Sequence, residues 1–404
     1  MRVPEYAPFG AYTRFVRDRV PLAMDKRSPS STEEIAEQIQ DAARTGATVM
    51  VSGGGTKLGW GPPVEADFEL SLTGMDQVLE HNEGDLTAVL QAGVPLHRAQ
   101  AKFAEASQML ALDPPLGERD AATIGGIVAA ADQGPLRHRY GPMRDQLLGV
   151  TLVPADGSVV RSGSRVIKNV AGYDLAKLFC GSFGTLGVVA DVIVRLHPAP
   201  RGPLTVVGSS DDVGALATGA SLLAHRLFEI EALDLFWDQG SGEVLALAAG
   251  GAPDKQAAVC AAAFSEAGLE VSTEEGRERW ARQRSMQRAE DGAVVRVSGL
   301  AAELARVLEL ARAVGASAVG RAGLGVSWLR LPEAPGDDLV GSIEEMRSAL
   351  KPWPVMVLDA PEAVRAKVDV WGQQEKGVVE LMRRVKQRFD GSGLFKPGYF
   401  VGGM

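Results

Sequence analysis

The chain has 404 residues, of which 46% are hydrophobic and 23% charged, with a formal net charge of −9. That length exceeds one ordinary core, so two domains are expected, and the composition is that of a folded chain. The negative balance argues against a general affinity for nucleic acid or anionic membrane, although a local basic patch is compatible with it. The two cysteines, Cys180 and Cys260, lie far apart without CxxC spacing, so neither a disulfide framework nor an iron–sulfur cluster is expected from this chain alone. A reducing, cytoplasmic setting follows as an expectation. The amino terminus lacks the apolar core of a signal peptide, and no run approaches the roughly twenty apolar residues of a membrane helix, so membrane contact is expected only through a partner.

After an irregular start with Pro4, Pro8 and Pro21, the run Ser30-Ser31-Thr32-Glu33-Glu34 supplies a helix cap with early acids. Ile35, Ile39 and Ala42 follow at helical spacing, and Gly46 ends the helix. A strand over 47–51 runs into Ser52-Gly53-Gly54-Gly55-Thr56-Lys57-Leu58-Gly59. Trp60-Gly61-Pro62-Pro63 stands where a dinucleotide fingerprint requires a helix, and the Gly-Lys-Ser/Thr ending of a phosphate loop is missing. Two readings remain: a nest of backbone N–H groups for a pyrophosphate, or a hairpin turn. Strand-like runs at 68–72, 78–81 and 87–91 and a helix through Val94, Leu96, Ala99 and Phe103 complete a first part that reads as helix plus small mixed sheet.

The stretch 121–194 is the richest in glycine turns. It contains Thr123-Ile124-Gly125-Gly126, then Gly134-Pro135, Arg139-Tyr140-Gly141 and Arg144-Asp145. Lys168-Asn169-Val170-Ala171-Gly172-Tyr173-Asp174 and Gly181-Ser182-Phe183-Gly184-Thr185-Leu186-Gly187 follow. So many glycines suggest a large cofactor lying against main chain; a loop-rich α/β domain with tight turns is the plainer alternative. On the cofactor reading, Gly54 and Gly125 leave room for phosphate. A hairpin over 147–161 and a long strand over 188–196 close this part. Pro198, Pro200, Gly202 and Pro203 mark a linker, beyond which strands and helices alternate in two similar rounds up to residue 358. That pattern predicts an α+β domain with helices on one face of an antiparallel sheet. A helix over 378–389 leads to Gly393-Leu394-Phe395-Lys396-Pro397-Gly398-Tyr399.

This order of motifs resembles the flavoenzymes of the vanillyl-alcohol oxidase type, with their PCMH-type FAD-binding domain. Within that superfamily it looks most like the FAD-binding E subunits of bacterial glycolate oxidases. The Lys168-to-Asp174 run is the most specific match. The resemblance implies a FAD domain over 1–200 (α/β subdomains about 25–110 and 111–200), a substrate or cap domain over 201–375, and a segment over 376–404 returning to the FAD domain. It further implies that Ser52, Gly53, Gly54, Gly55, Thr56 and Lys57 hold the FAD pyrophosphate. Thr123, Ile124, Gly125, Gly126 and Gly134 should lie near phosphates and isoalloxazine, and Gly184, Thr185, Gly187 and Val188 at the adenosine end. Lys168, Asn169 and Tyr173 should stand beside the ring, where charge and hydrogen bonds tune a flavin; a solvated lysine and a core aromatic are the plain alternatives. No His or Cys occurs over 51–61 or 121–134, so the FAD is expected to be non-covalent.

Oxidation of a 2-hydroxy acid needs a base for the hydroxyl proton and a cation for the carboxylate. The five histidines are His81, His97, His138, His197 and His225, so no histidine cluster is available to hold a metal in the second domain. His138, between Arg137 and Arg139, is the candidate among them, with Lys168 and Tyr173 as further catalytic candidates. Arg284 stands for the carboxylate, four residues from Trp280 on one helix face, with Arg296, Arg321 and Arg330 on or beside strands; solvated charges or salt bridges are the alternative. The expected function is a FAD-binding subunit of a complex oxidising a small 2-hydroxy acid such as glycolate. A metal-bearing flavoprotein sister and an iron–sulfur subunit are the expected partners. A flavin-holding assembly subunit, or a stand-alone FAD dehydrogenase of another alcohol, are the competing readings.

Overall fold

The helix Thr32–Thr45 begins where Ser31 accepts a hydrogen bond from the Glu34 N–H and ends at Gly46, whose φ of 71° is left-handed. Its buried face, Ile35, Ile39 and Ala42, packs into the core of the first lobe. The structure, a computed structural model, describes residues 24–164, 174–225, 229–332 and 338–404.

Two sheets share that first core. One is three-stranded and parallel, in the order Asp25–Arg27, Phe68–Ser71, Val49–Ser52. The other is five-stranded and antiparallel, in the order Val78–Asn82, Thr87–Gln91, Val188–Arg195, Leu147–Val153, Val160–Gly163. The expected small mixed sheet thus resolves into strands of two different sheets. Thr87–Gln91 pairs with Val188–Arg195, a hundred residues on, because both bury alternate aliphatic side chains in one core. The chain's end returns here: the Val49 N–H donates to the Leu394 carbonyl at 2.8 Å, and the Lys396 N–H to the Val49 carbonyl at 3.2 Å.

The second lobe is an eight-stranded antiparallel sheet. It is built from two βαββαβ units: strands from Leu204–Ser210 to Glu270–Glu275, then strands from Ala293–Ser298 to Val355–Asp359. Numbering strands within each unit, the order is 4-1-3-2 followed by 2-3-1-4, so the units meet through their second strands about a pseudo-two-fold. At that seam Asp234 pairs in register with Arg321. Helices Val213–Ala224, Pro253–Glu266, Leu304–Ala313 and Leu339–Ala349 contribute to the core on one face of this sheet. On the opposite face Val294, Val319, Trp328 and Leu358 pack with Trp60 and Ala130 of the first lobe. The functional cleft lies along this junction.

Candidate active site

Where the strand Val49–Ser52 leaves its sheet, the chain enters the glycine loop. Ser52 is buried and donates to the Glu69 carboxylate at 2.5 Å. Gly55 is left-handed, with φ 73°. Among the described residues the N–H groups of Gly54, Gly55, Thr56 and Lys57 find no acceptor, and the loop lines a cleft shared with Thr123, Gly126, Ala130, Phe183, Lys396 and Tyr399. Unpaired backbone donors on a glycine-built wall are the means of holding an anionic ligand without a helix.

Gly54 is obligatory for another reason than expected. A Cβ there would sit 1.7 Å from the Ala121 carbonyl oxygen, and one on Gly125 would meet the Ala92 Cβ at 2.7 Å. These glycines let the two turns dock on protein backbone; they shape the cleft and do not clear space inside it. Gly53 instead makes room for the Thr123 side chain, whose hydroxyl also caps the Gly126 N–H.

The second wall is the carboxyl-terminal segment. Lys386 is held by Asp390 at 2.6 Å and donates to the carbonyls of Thr185 and Phe395. Asp390 accepts from the N–H groups of Leu394 and Phe395, both at 2.8 Å. This clamp fixes the turn that presents Lys396, whose ammonium lies 4.4 Å from the centre of the Tyr399 ring. Burial lowers the Lys396 ammonium to about 8. Tyr399 donates to the Trp60 carbonyl, and Trp60 donates to Asp359 at 2.9 Å. Arg288 closes the circuit, bound to Asp359 at 2.7 Å and to the Thr56 carbonyl at 2.8 Å, which ties the glycine loop to the second lobe.

From this cleft a charged seam runs along the lobe junction. Lys57 pairs with Asp132 at 3.0 Å, and burial lowers its ammonium against the pull of that carboxylate. Arg296 and Arg137 come next, both held below the usual guanidinium range first by burial, with Arg137 on the Gln133 side chain. Arg321 and Asp234 form a fully buried pair, and burial pushes Asp234 up to about 7 although the guanidinium draws it down. Asp113, itself raised by burial, accepts from the Leu136 N–H at 3.0 Å and lies 3.9 Å from Arg284. His138 packs against Gly323; among the described residues its Nδ1 is buried without a hydrogen-bond partner, and burial lowers its imidazole pKa.

The structure therefore brings Ser52 to Lys57, Thr123 and Gly126 to one cleft. Ile124 and Gly125 lie directly behind it in the core. Gly134 belongs to the seam, since a Cβ there would stand 1.9 Å from the Asp113 carbonyl oxygen. Gly184 and Thr185 follow Phe183 at the cleft edge, while Gly187 abuts Val153 and Val188 is buried in the first core. His138 and Arg284 stand along the seam. Lys168, Asn169 and Tyr173 lie outside the described residues. Lys396, Asp132 and the Arg288–Asp359 latch were not singled out from sequence; for Lys396 the signal was its place in the Phe395-Lys396-Pro397-Gly398 tail. Among the described residues no group of three or more His, Cys, Asp and Glu is placed to hold a metal ion. No helix there is long and apolar enough to cross a membrane.

Residues 27–163 match the family model of the FAD binding domain, which contains the glycine loop, Thr123 to Gly126 and Asp132. FAD, with its diphosphate and large flat ring, fits the free donors and aromatic edge of the cleft. Glycolate oxidase subunit GlcD of Bacillus subtilis is 34% identical over 202 residues, 50% of this chain and 43% of that protein. Glycolate oxidase subunit GlcE of Escherichia coli is 34% identical over 176 residues, 43% of this chain and 49% of that protein. A mitochondrial D-lactate dehydrogenase (cytochrome) of Saccharomyces cerevisiae is 31% identical over 214 residues, covering 51% of this chain and 35% of that enzyme. The matched stretches thus span half or less of these relatives' own lengths. An alkyldihydroxyacetonephosphate synthase shares the fold, with a TM-score of 0.64 at 17% identity over 91% of this chain and 76% of that one.

Proposed function

Proceeding from the PCMH-type FAD-binding domain that this chain carries, we propose that it is a FAD-dependent oxidoreductase subunit acting on a small 2-hydroxy acid. The observation that carries the substrate class is the charge of the seam. Arg284 and Arg321 face Asp113 and Asp234, Arg296 lies between Asp132 and Arg137, and among the described residues the Nε of Arg296 is buried without an acceptor. A carboxylate entering beside the cleft would meet these guanidinium groups, and Arg284, a quarter exposed, is the one within its reach.

Bound FAD supplies a two-electron acceptor at its ring. The chain's own part is to orient the substrate carboxylate on arginine and to take the hydroxyl proton. His138 suits the second task, since its lowered pKa leaves the imidazole neutral near pH 7 and its Nδ1 has no competing partner among the described residues. Lys168 and Tyr173 are proposed beside the ring from the sequence. Electrons then leave through an iron–sulfur partner, and any membrane association comes through such partners. The FAD is held non-covalently on this reading, which is supported by the lack of any His or Cys among the described residues lining the cleft.

The test is anaerobic. Glycolate, D-lactate and 2-hydroxyglutarate are mixed with the FAD-loaded chain, alone and with its partner subunits, and flavin absorbance is followed. Bleaching at roughly one per second or faster in the assembly is expected, slowed at least tenfold by Arg284→Met. An assembly that none of these acids reduces would overturn the substrate class. Acid precipitation should release all the flavin.

A further inference from the structure

Two lysines are buried on the cleft, and only one has a counter-charge. Lys57 is matched by Asp132. Lys396 is 5% exposed, yet among the described residues it has no ion pair and no side-chain hydrogen bond; its one ring contact is Tyr399. Asp390, the carboxylate that holds the adjoining turn, is taken up by Lys386 and by the N–H groups of Leu394 and Phe395. The backbone holds Lys396 at φ 42°, a left-handed conformation that a lysine adopts only when its surroundings enforce it, here through bonds to Val49 and from Tyr399. A buried ammonium without a partner is costly unless a ligand completes it.

We infer that Lys396 is a cofactor-anchoring residue whose ammonium neutralises the diphosphate of FAD, acting with the free N–H groups of residues 54–57. The inference rests on the reading of this cleft as the FAD site. Neutral N–H donors alone would leave the two negative charges of the diphosphate without a counter-charge; a cation on the second wall removes that imbalance. The riboflavin half carries no charge, so it gains nothing comparable from an ammonium. Lys396 thus reads the diphosphate part of the cofactor.

The experiment uses the full chain stripped of flavin, with binding of FAD, ADP and riboflavin measured for the wild type, Lys396→Met and Lys396→Arg. Lys396→Met should weaken FAD and ADP at least tenfold while changing riboflavin less than twofold. Lys396→Arg should stay within about threefold of the wild type for all three. Unliganded melting is measured alongside, and Lys396→Met should melt no lower than the wild type. A variant that binds ADP normally overturns the inference, as does one that loses ADP and riboflavin equally. A lower unliganded melting point with normal ADP binding makes Lys396 a structural cation and also overturns it. A wild-type chain that binds neither FAD nor ADP fails at the cofactor reading itself, which separates the two failures.

Discussion

The two walls of the cleft handle buried positive charge in opposite ways. On the glycine-loop wall, Lys57 is neutralised within the protein by Asp132 and belongs to the fold's own ion-pair seam. On the carboxyl-terminal wall, Lys396 is positioned with equal care by the Lys386–Asp390 clamp but left uncompensated. The difference teaches how to separate residues that stabilise from residues that bind. Burial alone marks both lysines; the presence or absence of an internal partner divides them.

The largest expected effect tests whether the glycine loop is a packing device. Gly54→Val would drive a side chain into the Ala121 carbonyl, 1.7 Å from the Cβ position, so the loop or the turn at 121–126 must move. Stability should fall by at least about 4 kcal/mol, with FAD content lost as a consequence. Urea unfolding of the flavin-free protein checks the order of cause: if unliganded stability is unchanged while FAD is lost, the glycine serves the ligand directly.

Next comes Asp132→Asn, which leaves the Lys57 ammonium buried without its carboxylate. A cost of about 3 kcal/mol is expected in the flavin-free protein, and Lys57→Met in the same background should recover much of it. Lys396→Met should behave in the opposite sense. Lys396 titrates near 8 when folded, against 10.5 in the unfolded chain. Below pH 8 it is protonated in both states, so the folded state bears the full desolvation cost. Between about 8 and 10.5 the unfolded chain binds more protons, and wild-type stability rises with pH. Lys396→Met should therefore stabilise the flavin-free protein by up to about 3 kcal/mol at pH 7, with the gain gone by about pH 10.5. Parallel denaturation curves at pH 7 and pH 10 decide it; an equal gain at both would remove the charge from the explanation.

Much of the fold was legible because its signals are local. Ser31 and Gly46 bracket a helix whose buried stripe is plain in the sequence, and the two rounds of strands and helices beyond Pro203 are two βαββαβ units in space. Pairing partners were not legible. Nothing around Thr87–Gln91 announces that its neighbour is Val188–Arg195, since sheet pairing across a long separation leaves no local periodicity. The site divides the same way. The glycine loop can be read as a nest because its turn chemistry is contiguous, and Asp132 was missed because an ion pair across 75 positions is not. Lys396 lay in a motif already noticed, but its importance rests on having no partner, which only packed coordinates reveal.

The smallest expected effect on stability falls at Gly126, and it sharpens the contrast most finely. Gly126 lies in the helix Ile124–Ala130 and lines the cleft; a Cβ there would meet only the Thr123 hydroxyl, at 3.2 Å, with nothing else within 4 Å. Unlike Gly54 it faces open space. Alanine in a helix gains roughly 0.5–1 kcal/mol over glycine, and a small shift of the capping hydroxyl takes back part of this. Gly126→Ala should therefore leave the flavin-free stability within about 1 kcal/mol of the wild type. The new methyl would stand where the ligand lies against main chain, so FAD affinity should fall severalfold or more. Fluorescence titration with FAD beside urea unfolding gives both quantities from one preparation. Normal affinity with normal stability would show that the cofactor passes Gly126 at a distance, and would confine its contact to the loop at 53–57 and the Lys396 wall.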